Sequence, residues 1–213
     1  MPPRIIFTKE QITDEAFEIF KEEGLESVSV RKLAAKLNSS TAPIYTSFKN
    51  IEEIKKHLLE KSLAILLNYT EKEYTKDAFL NIGVGMLEFA KNYKIIYKTL
   101  FISSNDHQYI LDEFNKKNLE QMKKLKILSL FDEQDLKHIL EKMCIFTHGI
   151  ASFLCAGMLE EDSLEYFINT LSEMGADVIE ITAYRKGLLE KLTNALEEGC
   201  RIEKNNYSEW NYR

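Results

Sequence analysis

The stretch from Ser27 to Lys49 holds Arg31, Lys32, Lys36 and Lys49 and no aspartate or glutamate. Inside it lies SSTAPIYTSF, residues 39–48, a run with no charge of its own. The hydroxyls of Ser40, Thr41, Thr46 and Ser47 both donate and accept hydrogen bonds, and Ala42 offers a methyl. Small groups of this kind read base edges and thymine methyls in a DNA groove. Tyr45 carries a hydroxyl long enough to reach a phosphate, and Arg31, Lys32 and Lys49 can neutralise phosphates and hold register. Arg4 is a candidate arm for the minor groove.

Two other spacings could do chemistry. Cys144 and His148 stand four residues apart, the spacing of a thiol–imidazole pair or of two metal ligands on one helix. No third ligand follows at a metal-like distance, and the pair lies in an apolar stripe. A structural cysteine and a core or pocket histidine are therefore expected. The GVG at 83–85 has no strand before it, so it reads as small residues for close helix packing and not as a phosphate loop. The carboxylates of KEEG and LEEDS read as solvated helix ends. No catalytic residue, metal ligand or cofactor is expected.

Net charge is −6. The acid-free stretch contributes +4, leaving −10 for the rest of the chain. That balance argues against nonspecific coating of nucleic acid while allowing one local basic patch. Cys144, Cys155 and Cys200 have no CxxC spacing and suit a reducing cytoplasm. MPPRIIFTKEQ lacks the pattern of a signal peptide. No uninterrupted apolar run of membrane-spanning length is seen, so no membrane partner is expected.

The elements that must position these groups are helical. Of 213 residues only 8 are Gly and 3 are Pro, which favours long helices in one or two domains. Thr8 with Gln11 forms a capping box, and Gly24 ends the first helix. Ser29 caps a second helix with Val30, Leu33, Ala34 and Leu37 on one face. Ser40 is expected to cap a short third helix with Pro43 in its first turn and Ile44 and Phe48 anchored inward. Asn50 with Glu53 forms another capping box and starts a helix to about residue 68. Further helices are read near 75–92, 93–103, 106–129, 132–157, 163–174 and 176–199, with a frayed tail over 201–213. The fold class is all-α. An N-terminal three-helix domain with a helix-turn-helix occupies 1–50, and a helical body occupies 51–200.

Residues 8–55, and above all SVRKLAAKLNSSTAPIYTSFKNIEEI, resemble the DNA-binding domain of TetR-family transcriptional repressors. The shared features are the basic second helix, the Ser40 and TAP turn, the Ile44–Tyr45 pair and Phe48. Asn38 stands where the family usually has Gly, and asparagine tolerates a left-handed backbone. Ile51 stands where a lysine is common, so Lys49 or Lys55 would replace that phosphate contact. The resemblance implies a homodimeric, ligand-responsive repressor on a pseudo-palindromic operator. Pairing would run through helices near 134–157 and 176–198. The body would bind a small apolar or amphipathic ligand among Met86, Phe89, Tyr93 and Tyr97, with Phe101, Phe114, Phe146 and His148 nearby. The alternatives are an activator or partner-controlled regulator without a ligand, and an enzyme that happens to carry a helix-turn-helix.

Overall fold

A computed structural model of the chain describes residues 7–102 and 108–204, the side chains of a few of them excepted. Among the described residues it forms ten α-helices and no strand. Arg4 and the tail from 205 to 213 lie outside them.

Helix α1 (Lys9–Glu23) begins at the capping box: Gln11 N–H donates to Thr8 Oγ1 at 3.1 Å, and Thr8 N–H donates back to Gln11 Oε1 at 2.9 Å. Its stripe of Ile12, Ala16, Ile19 and Phe20 is buried. Gly24, at φ +92°, stops it. Helix α2 (Val30–Lys36) is capped by Ser29 and buries Leu33 and Ala34. Asn38 then turns the chain at φ +50°, the left-handed conformation expected of the residue replacing glycine.

Helix α3 is Ala42–Ser47, and it corrects the expected Ser40 cap. Thr41 is the N-cap, and its side chain makes no capping bond. The reason is local. Pro43 occupies a position whose N–H a cap would accept, and the Asn38–Ser40 turn closes on itself through Ser39 N–H to Ala34 O at 2.9 Å and Ser39 Oγ to Ser40 O at 3.0 Å. Ile44 and Phe48 anchor α3 inward, 1% and 2% exposed.

Helix α4 (Ile51–Thr70) leaves this three-helix head and runs into the body. Asn50 caps it through Glu53 N–H at 2.9 Å, but the Glu53 carboxylate accepts from Lys49 N–H at 2.7 Å, one residue before the site a capping box would use. The body comprises α5 (Ala78–Asn92), α6 (Lys94–Phe101), α7 (Gln108–Met122), α8 (Glu133–Ala156), α9 (Leu164–Arg185) and α10 (Leu189–Lys204). Helix α7 stops at Met122, short of the expected 129, and Leu128–Leu130 is a separate 3-10 turn.

Helix α9 runs unbroken through Gly175, where the sequence suggested a boundary. Gly175 is buried in it, and a Cβ there would meet Met143 Cε at 3.8 Å. The chain turns instead at Gly187, φ +66°. The expected helix at 176–199 is therefore the second half of α9 plus α10.

GVG does pack helices. A Cβ on Gly85 would lie 2.2 Å from the Tyr69 carbonyl oxygen, so α5 crosses the end of α4 backbone to backbone. A Cβ on Gly83, on the other side of α5, would meet Leu171 Cδ1 at 3.0 Å.

Helix α8 is long and apolar enough to cross a membrane, by length and composition alone. The expectation of no such segment looked for an unbroken apolar run and overlooked a window that tolerates a few polar residues. One side of α8 sits in the core through Leu136, Ile139, Ile150, Ala151 and Leu154, as in a core helix of a folded domain.

Candidate functional site

The short helix α3 divides cleanly. Ile44 points into the head, while Thr41, Ala42, Tyr45 and Thr46 are exposed on one face. Tyr45 is 58% exposed, which is unusual for a large aromatic side chain with nothing folded over it. Ser40 is exposed beside this face, and Pro43 and Ser47 are half-buried at its edge. Thr46 Oγ1 donates to Ala42 O at 3.0 Å, which leaves its methyl and lone pairs facing out. Ser47 Oγ reaches Phe7 O at 3.5 Å and is partly used inside the head.

The four cations are not equivalent. Lys32 pairs with Glu23, and Lys36 lies 3.9 Å from Glu15, both on α1. Arg31 and Lys49 are exposed and have no ion pair among the described residues. They flank α3 with their charge available. Lys55, a candidate substitute for the missing lysine at 51, is held by Glu26 at 3.0 Å and Glu52 at 3.9 Å and is 16% exposed. Lys49 is thus the better placed of the two. Ser29 is committed to capping α2, accepting from Lys32 N–H at 3.3 Å.

A second feature lies in the body. A partly open cavity of about 450 Å³ lies among α5, α7, α8, α9 and α10. Of the eight expected pocket residues it is lined by Met86, Phe114 and His148. Phe89 and Tyr93 do not reach it, because their rings stack on each other at 5.4 Å and pack on Tyr69 of α4. Tyr93 also touches Phe17 of α1, so this aromatic cluster joins head to body. Tyr97 is fully buried behind His148, its hydroxyl 2.5 Å from His148 Nδ1, and Phe101 packs on the same imidazole at 5.0 Å. Phe146 is half-buried against the main core. Sequence reasoning missed Asn118, Thr147 and the α9–α10 wall, which come together only through long-range packing.

Cys144 and His148 both line this cavity. Burial pushes the Cys144 thiol up to about 11 and lowers the His148 imidazole below its usual value. Burial likewise holds the Tyr97 phenol protonated. A nucleophilic pair needs a thiolate beside an imidazolium, and here both groups are kept neutral. Cys144 Sγ lies instead 3.8 Å from Asn115 Oδ1.

Residues 12–58 match the family model described as bacterial regulatory proteins, tetR family, and that segment contains α2, the Asn38 turn and α3 whole. Over those residues the chain carries a segment of the TetR-family type. Two Bacillus subtilis (strain 168) relatives agree with this. The uncharacterised HTH-type transcriptional regulator YvkB is 31% identical over 97 residues, 44% of this chain and 51% of that protein. The uncharacterised HTH-type transcriptional regulator YobS is 26% identical over 110 residues, 50% of this chain and 58% of that protein. The match thus spans about half the length of these curated relatives.

Solved structures extend the likeness to the body of the chain, as fold alone. A TetR-like transcriptional regulator from Rhodococcus sp. RHA1 has a TM-score of 0.54 at 14% identity, covering 78% of this chain and 92% of that one. A Clostridium perfringens protein, described as a candidate fatty acid metabolism regulator, has a TM-score of 0.52 at 17% identity, covering 79% and 96%.

Proposed function

We propose that the protein is a homodimeric, ligand-responsive repressor of transcription in the cytoplasm, reading a pseudo-palindromic DNA operator through α3. The observation that carries this reading is the outward face of α3, where Thr41, Ala42, Tyr45 and Thr46 stand exposed between two unpaired cations, Arg31 and Lys49. The small side chains suit base edges, and the flanking cations suit phosphates.

Dimerisation is supported by an apolar stripe that the single chain leaves uncovered. Ile145 is 67% exposed and Phe153 53% exposed on α8, with Gly149 and Ser152 between them on the same face. Ile181 and Tyr184 continue it on α9. Within the ranges expected to pair, Leu136, Ile139, Leu140, Ile150, Val178 and Leu192 are consumed by the subunit's own core. The pairing face is therefore the opposite side of α8 together with α9. An exposed apolar surface of this kind marks an interaction site. Two copies would present α3 to half-sites about 34–36 Å apart.

Ligand response is supported by the position of α5. One side of it, with Gly83 and Met86, lines the cavity, and Gly85 abuts the end of α4. Helix α4 carries the head. A ligand that fits one placement of α5 better than another shifts the spacing of the two heads by its differential affinity.

The test is binding of labelled DNA across a salt series. Arg31→Ala and Lys49→Ala are each expected to weaken binding to all sequences and to reduce the salt slope by about one. Thr41→Val is expected to change sequence preference and leave the slope alone. The same loss on specific and random DNA for all three variants would contradict this division.

A further inference from the structure

The cavity carries a chemical selectivity that its position alone does not convey. Asn118, on α7, lines it and is 2% exposed, yet its amide Nδ2 has no hydrogen-bond partner among the described residues. A buried amide N–H left unpaired is costly, and native interiors pair nearly all such groups. The terminal amide torsion is soft, so this N–H can turn to an acceptor that a bound molecule brings. His148 offers a second donor. Its Nδ1 lies 2.5 Å from the Tyr97 hydroxyl; with that hydroxyl donating to Nδ1, the ring proton sits on Nε2 and is free for a bound molecule.

The electrostatics of the wall exclude most charged occupants. Among the described residues that line the cavity there is no Lys or Arg. The two carboxylates, Asp77 and Glu180, are exposed at its rim. Asp77 is already committed to capping α5, accepting from Phe79 N–H at 2.8 Å and Leu80 N–H at 3.2 Å. An anion entering would pass these rim carboxylates and find no cation inside. A cation would find no carboxylate at depth. Burying either charge without a partner is prohibitive, whereas a neutral acceptor such as a carbonyl oxygen meets two donors and otherwise apolar side chains.

We infer that the cavity binds an uncharged, largely hydrocarbon molecule with a carbonyl-type oxygen placed against Asn118 and His148. Fatty carboxylates and lipophilic amines are poor occupants. This deepens the ligand-responsive reading above and rests on it.

The test uses four probes of equal medium chain length: a methyl ketone, the carboxylate, the primary amine and the parent alkane. Each is titrated against the purified full-length protein at neutral pH, with binding read by calorimetry. The ketone is expected to bind at least about tenfold tighter than the carboxylate or the amine. It is also expected to bind tighter than the alkane by about tenfold, a margin that Asn118→Leu removes. The ranking of the four probes on the unaltered protein needs no variant to fold. A carboxylate or amine that equals or beats the ketone overturns this assignment and leaves the ligand pocket standing. Equal binding of ketone and alkane, or an undiminished margin in Asn118→Leu, overturns the role of Asn118. Failure of every probe to bind overturns the ligand pocket itself.

Discussion

Gly85→Ala is expected to destabilise the protein by about 3 kcal/mol, near the upper end of overpacking penalties. For a chain of this size that corresponds to a loss of about 10 °C in Tm. The added Cβ would fall 2.2 Å from the Tyr69 carbonyl oxygen and 2.6 Å from Thr70 Cα. Both obstacles are backbone, so no rotamer change relieves the clash and the two helices must move apart. The shift would also disturb the aromatic cluster of Tyr69, Phe89 and Tyr93, which packs beside the same crossing. Gly83→Ala is the control. Its Cβ meets the tip of the Leu171 side chain at 3.0 Å, which can rotate away. Thermal unfolding followed by circular dichroism checks both. A Gly85→Ala Tm within about 2 °C of the parent would contradict the close crossing of α4 and α5.

The second large effect is expected at the exposed stripe. Ile145→Glu with Phe153→Glu should convert the proposed dimer to a monomer and lower operator affinity by at least about 100-fold, because a central interface anchor is typically worth 2 kcal/mol or more. Neither side chain is used in the subunit's own core, at 67% and 53% exposure, so helicity and monomer fold should be retained. Solution mass reads the first effect and DNA anisotropy the second. Residual binding should then be weak, insensitive to sequence and steeply salt-dependent. A double variant that keeps the mass of a dimer would place the interface elsewhere.

What could be read along the chain was local. Thr8 with Gln11, Ser29 and Asn50 announce helix starts because a cap bonds within three residues of itself. Asn38 declares the left-handed turn, and the stripe Ile12, Ala16, Ile19, Phe20 declares the buried face of α1. What could not be read depends on partners distant in sequence. Gly175 resembles a stop by composition. It sits mid-helix because α8 approaches it through Met143, and that packing offsets the roughly 1 kcal/mol cost of an interior glycine. The aromatic residues of the middle helices gave no sign of which would line a cavity. Phe89 and Tyr93 go to the joint with α4, and Tyr97 goes behind His148, a partner 51 residues away. Likewise α8 shows apolar residues on both sides, and only the folded body tells which side it uses. The exposed face of α3 was legible by contrast, because small polar residues around an inward Ile44 need no distant partner to define them.

The most direct test of the whole account incubates the purified protein with sheared genomic DNA at moderate salt and sequences what is retained, beside a measurement of its mass in solution. One enriched inverted-repeat motif is expected, held by a species of twice the 24.8 kDa chain. Recovery of DNA without any enriched motif, by a species of 24.8 kDa, would contradict it.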